Sequence, residues 1–133
     1  MPQELSISEI VERSYGAWND DDLEAMLALT HPEAEYTPSG VFPGMESVYR
    51  GEEGIRRWWD TFHEPWSEIK VIPERVAERP GGAAILVRFE GIGRDGIETT
   101  MKFINKIEVR DGLLYRLVGQ PASEQVIREL GLD

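Results

Sequence analysis

Apolar positions recur at helical spacing in the first half of the chain and at strand spacing in the second. Ile7, Ile10, Val11, Ser14, Ala17 and Trp18 make one stripe with a period near that of a helix, which predicts a first helix opened by a cap at Ser6 or Ser8. After "NDDD", the spacing of Leu23, Met26, Leu27 and Leu29 predicts a second short helix that stops near His31-Pro32. "AEY" reads as a brief strand, and the Gly- and Pro-rich "TPSGVFPGMES" as a loop. "VYRGEEGIRRWWDTF" then releases a third helix. Glu52 and Glu53 suit its positive end, and Pro65 ends it. Neighbours on a helix point about 100° apart, so Trp58 and Trp59 cannot plug one narrow seam.

From residue 67 the period changes. "SEIKVIPERVAER", "GAAILVRFEGIG", "IETTMKFINKIEV" and "LLYRLVG" are β-rich runs separated by the turns Pro80-Gly81-Gly82, Asp95-Gly96 and Asp111-Gly112. They predict an antiparallel meander, closed by a helix around Ser123–Leu130. Helices first and sheet afterwards make an α+β fold. Alternation places Thr99, Met101, Phe103, Asn105, Ile107 and Val109 on one face, apolar apart from Asn105. Ile85, Val87 and Phe89 belong with them. Arg88 and Glu90 fall on the opposite face, with Lys102 and Lys106 as cross-strand partners and Leu86, Ile92 and Ile104 beside them. That mixed face suits a subunit interface as well as a wetted surface.

The chain of 133 residues, 41% hydrophobic, is expected to form a single domain over 1–133 that buries roughly two-thirds of its unfolded surface. A formal charge of −11 argues against nucleic acid or an anionic membrane as partner, because both demand positive potential. Without cysteine there is no thiol nucleophile, disulfide or cysteine-ligated metal. "MPQELSISEI" does not read as a signal peptide, so a cytoplasmic location is expected. His31 and His63 lack metal-ligand spacing, "DDD" reads as a turn and helix start, and neither a metal nor an organic cofactor is expected. Two buried polar positions remain. Ser14 reads as bonding back to its own helix. An unpaired buried amide at Asn105 costs ~1–3 kcal/mol, so it must bond to backbone, to water or to something in a cavity.

"AWNDDDLEAMLALTHPEAEY", "VYRGEEGIRRWW" and "VRDGLLYRL", in this order of elements, resemble the SnoaL-like, or polyketide-cyclase-like, branch of the nuclear-transport-factor-2-like superfamily. The resemblance implies a cone: a curved antiparallel sheet wrapped around N-terminal helices with a short C-terminal helix, enclosing a pocket and forming a homodimer through its outer face. It implies a small hydrophobic molecule as ligand. Ser14, Tyr15, Trp18, Tyr36, Phe42, Trp58, Trp59, Phe62, Phe103 and Asn105 are the candidate ligand-binding residues, and Phe42 and Met45 are candidate lid residues. One of Trp58 and Trp59 is expected to reach the pocket and the other to serve the core.

The family's chemistries fit unevenly. Ketosteroid isomerases of this fold use an Asp base and an oxyanion site of Tyr and protonated Asp. Here those positions fall at or near Thr37, on Ser14 beside Tyr15, and on Asn105. The acid of the cyclases falls on Gly119, in an inward set expected to be Tyr115, Leu117 and Gly119. Arg88-Phe89-Glu90 is similar to part of the Asp–Arg–Asp set of limonene-epoxide hydrolases, whose third acid falls near Leu117. Asn105 and His63 are the remaining catalytic candidates. Two readings follow: a binding protein for a small hydrophobic ligand, or an isomerase- or cyclase-like enzyme acting on a ketone or polyketide-type substrate.

Overall fold

The computed structural model describes residues 5–42 and 44–133. The first four residues of the "MPQELSISEI" reading, and Pro43 of the loop, lie outside them. Helix α1 spans Ile7–Asn19 and is opened by Ser6, whose side chain accepts from Glu9 N while the Glu9 carboxylate accepts from Ser6 N. Its inward stripe is Ile10, Val11, Ser14, Ala17 and Trp18. Asn19 then clasps the strand β3 (Trp66–Arg79) from the side, donating to Val71 O at 2.9 Å and accepting from Val71 N at 2.7 Å. This fixes the lower end of α1 against the sheet. Asp22 caps α2 (Leu23–Ala28) through Ala25 N, as its place in an acidic turn suggested.

Strand β1 runs over Thr30–Thr37, longer than "AEY", so His31 and Pro32 belong to it and α2 ends before them. A two-residue strand, β2 (Tyr49–Arg50), pairs antiparallel with β1 and leads into α3 (Gly51–His63). The four β-rich runs form β3 (Trp66–Arg79), β4 (Gly82–Gly93), β5 (Glu98–Arg110) and β6 (Leu113–Pro121), followed by α4 (Glu124–Glu129), capped by Ser123. The sheet order is β2-β1-β6-β5-β4-β3. The meander β3–β6 is antiparallel throughout. The six-stranded sheet as a whole is mixed and mostly antiparallel, since β1 lies parallel to β6. A helical crossover makes that possible, since the chain leaves β1 through α3 before entering the meander.

Register confirms the inward face. Ile85 lies opposite Asn105 and Val87 opposite Phe103, and these residues pack with the helices in the main core. The outer face holds a second, smaller core. There Ala84, Leu86 and Ile104 are covered by the C-terminal segment, with Leu132 1% exposed against them. Two of the three apolar residues assigned to a possible interface are therefore occupied by the chain's own tail. The charged partners also differ from expectation. Lys102 pairs with Glu74 at 3.0 Å, and Arg88 with Glu74 and Glu90 at 3.4 Å each, because a bulge between Pro73 and Arg75 swings Glu74 outward.

Candidate functional site

Between the sheet and α1–α3 lies a cavity of about 70 Å³. Tyr15 and Trp18 reach it from α1, Trp58 and Phe62 from α3, Phe103 and Asn105 from β5, and Pro38, Ser39, Phe42 and Met45 from the β1–β2 loop. Eight of the ten expected ligand-binding residues line it, with Ser14 completing the eight. Tyr36 and Trp59 do not. Tyr36 is fully buried behind Trp58, its ring 5.0 Å away, and its hydroxyl donates to Thr30 Oγ1, which itself donates to Met26 O. Trp59 is 4% exposed and packs into the core, edge-on to Trp18 at 4.4 Å. Adjacent tryptophans thus divide the work: Trp58 walls the cavity beside Trp18, at 4.5 Å, and Trp59 fills the layer behind.

The polar centre of the cavity is a pair. Asn105 Nδ2 donates to the Tyr15 hydroxyl at 2.9 Å. The phenol therefore spends a lone pair on Asn105, and its own proton has no acceptor among the described residues. Asn105 Oδ1 also has no described partner. Burial pushes the Tyr15 phenol well above its ordinary range, with the Asn105 bond pulling the other way, so the ring stays neutral and is a donor. Burial likewise pushes Tyr36 up to about 12. Ser14 behaves as expected of a helical serine, donating back to Val11 O at 3.0 Å.

None of the described lining residues is an acid, a histidine, a lysine or an arginine. His63 does not reach the cavity. Its Nδ1 lies 2.7 Å from Trp59 O, and its ring stacks on Trp59 at 4.7 Å and tilts against Trp18 at 4.7 Å. A carbonyl can only accept, so Nδ1 donates to Trp59 O, and Nε2 has no hydrogen bond and lies 3.7 Å from Asp21. His31 is held by Glu33 N and Asp111 at the surface end of β1. Arg88 and Glu90 lie on the outer face, as alternation required.

The inward set on β6 needs correction. Glu108 pairs with Arg116 but Val109 with Leu114, which leaves Tyr115 as an extra residue in a bulge. Alternation shifts by one there. Leu114 and Leu117 line the cavity, whereas Tyr115 turns out beneath the Arg110 guanidinium at 3.8 Å. Gly119 points inward but toward Ser39, whose backbone N would stand 2.7 Å from a Cβ at that position. The place of the cyclase acid is closed by the loop as well as chemically empty. Thr37 is not on the wall; its loop neighbours Pro38 and Ser39 are. Met26, Val71, Ile85, Ile107 and Leu114 also line the cavity. Helical and strand spacing marks Met26, Ile85 and Ile107 as inward, but core and cavity wall look alike in sequence, and Leu114 turns inward only because of the bulge.

A nuclear-transport-factor-2-like protein of unknown function from Burkholderia pseudomallei superposes with a TM-score of 0.79 at 21% identity, covering 95% of this chain and 98% of that one. The Δ5-3-ketosteroid isomerase from Mycobacterium sp. follows at TM-score 0.73 and 20% identity, covering 87% and 92%. TerC, co-crystallised with polyporic acid, superposes at TM-score 0.77 and 22% identity, covering 92% and 95%. At these identities the likeness is one of fold. No curated protein matches the sequence. A family model described as a SnoaL-like domain spans residues 11–117, and on that match this chain belongs to the SnoaL-like domain family.

Proposed function

We propose that this protein, one SnoaL-like domain over 1–133, binds a small, largely hydrophobic molecule carrying one hydrogen-bond acceptor, in the cavity between sheet and helices. The observation that carries the reading is the Tyr15–Asn105 pair: a neutral phenol with an uncommitted proton, set among aromatic rings and with no ionisable base beside it. A few convergent polar groups within apolar walls are the usual anatomy of a ligand pocket. Donation from Tyr15 O–H orients a ketone or hydroxyl oxygen, and Asn105 fixes the phenol that donates. The co-crystallised polyporic acid of TerC supports a small organic ligand in this fold.

The second reading is an isomerase- or cyclase-like enzyme acting on a ketone or polyketide-type substrate, which the ketosteroid isomerase neighbour favours. Tyr15 would polarise the carbonyl in that case, but proton abstraction needs a base and the described wall offers none. Fold alone does not choose between them. The experiment is a titration with small cyclic ketones followed by Trp fluorescence, since Trp18 and Trp58 line the cavity, coupled to proton–deuterium exchange at the ketone α-carbon. Saturable quenching without accelerated exchange is expected. Exchange that rises with protein and falls in Asn105→Ala would overturn the binding-only reading.

Homodimerisation through the outer sheet face belongs to this proposal. On that face Lys102 and Arg88 are matched by Glu74 and Glu90, and Arg116 by Glu35, while the chain as a whole carries −11. A second copy meets least repulsion there. Sedimentation at micromolar concentration is expected to give a dimer; a monomer removes the claim. A cytoplasmic location is part of the same reading. Among the described residues no helix is long and apolar enough to cross a membrane.

A further inference from the structure

We propose that the phenyl ring of Phe42 holds the place of an aromatic ring of the ligand, so that the site takes a small aryl ketone or aryl aldehyde in exchange for Phe42. The inference rests on the pocket reading above and deepens it by naming the ligand class.

The argument begins with room. About 70 Å³ is well short of the several hundred Å³ usual for ligand pockets, and roughly half of an apolar cavity that holds benzene. A ring-bearing ligand therefore has to displace part of the wall. Tyr15, Trp18, Trp58, Phe62 and Phe103 all stand on helices or on a central strand. Phe42 is the aromatic of the wall that stands on a loop.

Its surroundings are made for a ring. Phe42 sits edge-to-face with Phe62 at 4.7 Å, with Phe89 at 5.0 Å and with Phe103 at 5.6 Å. Those three partners are 6%, 0% and 7% exposed, whereas Phe42 itself is half-buried. The slot is fixed and its occupant is the least embedded member. On either side of Phe42, Gly40 and Gly44 adopt φ of +84° and +82°, and a Cβ at either would meet nothing within 4 Å. Glycine at both positions gives this loop backbone a wider choice of conformations than other residues have, which a displacement of Phe42 can draw on.

Exchange of one ring for another conserves the slot's contacts. An aliphatic ligand of equal size forfeits the edge-to-face terms, each worth about two- to ten-fold in affinity. Such a ligand needs an acceptor oxygen within reach of Tyr15, which lines the same cavity. A carbonyl attached directly to the ring satisfies both demands in a molecule small enough for the space.

The test compares acetophenone with cyclohexyl methyl ketone on the full-length native protein and on Phe42→Ala, read by Trp fluorescence and by the melting temperature. Native protein is expected to bind acetophenone at least three-fold more tightly than its aliphatic counterpart. Phe42→Ala is expected to melt lower alone, yet to bind acetophenone about ten-fold more tightly than native and recover more of its melting temperature on binding. If Phe42→Ala fails to fold, Phe42→Leu serves, with a smaller gain in the same direction. Equal affinity of native and variant for acetophenone, or no preference for the aryl ketone, sinks the Phe42 assignment and leaves the pocket reading standing. If neither protein binds either ketone at millimolar concentration, the pocket reading falls with it.

Discussion

The two faces of strand β5 meet different demands. On the concave side Phe103, Asn105 and Ile107 look into space that is partly open, and the groups around them are aromatic rings and aliphatic side chains. On the convex side Ile104 is 0% exposed, packed with Ala84, Leu86 and Leu132 under the C-terminal segment and flanked by ion pairs at Lys102. The same alternating strand thus supports a hollow on one face and a sealed seam on the other. The seam is small but closely packed; the larger concave core gives up some packing for room.

The sharpest break of this comparison is Ile104→Ala against Ile107→Ala. Both remove the same atoms from one strand. Ile104→Ala opens a void in a sealed cluster and is expected to cost about 3–5 kcal/mol, whereas Ile107→Ala enlarges an existing cavity and is expected to cost about 2 kcal/mol. Denaturant unfolding of the two variants measures the difference. Equal costs would mean that the C-terminal segment is only loosely seated and that the contrast between faces is false.

Gly119→Asp comes next. The substitution restores an acid where the cyclases of this family carry one, yet the side chain would meet the backbone of Ser39 at its first atom. Overpacking plus an unpaired carboxylate is expected to destabilise by about 2–4 kcal/mol without creating activity. Melting temperature and the exchange assay together check it. An intact, newly active protein would show that the loop yields.

Asn105→Leu is expected to change stability by no more than about 1 kcal/mol, because one hydrogen bond is lost while apolar contact with the cavity wall is gained. Its effect falls on binding instead. With no amide to hold it, the Tyr15 hydroxyl loses its orientation, and ketone affinity should drop several-fold in a fluorescence titration. A large loss of stability with unchanged affinity would make Asn105 a core residue and remove it from the site.

Much of this contrast was legible beforehand. The period-two alternation of Thr99–Val109 separates the faces, the inward position of Asn105 follows from it, and the helical stripe of α1 matches from Ile10 to Trp18, with Ile7 only partly buried. Three features were not. The choice between Trp58 and Trp59 depends on where the sheet curves, which spacing on a helix does not contain. Alternation alone places Tyr115 inward because it assumes no inserted residue, and the bulge inserts one. The outer seam was missed as a seam because Leu86 and Ile104 are covered by a segment far along the chain, and Leu132 carries no periodic signal of its own.

The smallest expected effect belongs to the convex rim, where β1 meets β6. Glu35 accepts from Arg50 Nε at 2.6 Å and lies 3.7 Å from Arg116, and the Arg50 bond holds its carboxyl below the ordinary value of 4.5. A carboxylate whose folded pKa is depressed contributes stability that is present above the unfolded value and drains away as pH falls through the folded one. Glu35→Gln should therefore lower the melting temperature slightly at neutral pH, and the gap should close below pH 4.5. Because the group is partly open to solvent, added salt should shrink the gap as well. Tyr15 supplies the contrasting concave case. Its folded pKa is raised above the ordinary 10.0, so its contribution is intact at acid and neutral pH and is lost only as alkali rises beyond that value. A Tyr15→Phe variant that tracks native stability through the acid range, while Glu35→Gln converges on native there, would place the acid-sensitive electrostatics on the convex side and leave the cavity pair indifferent to acid. A Glu35→Gln gap that persists unchanged at low pH would reject the ion pair as its cause.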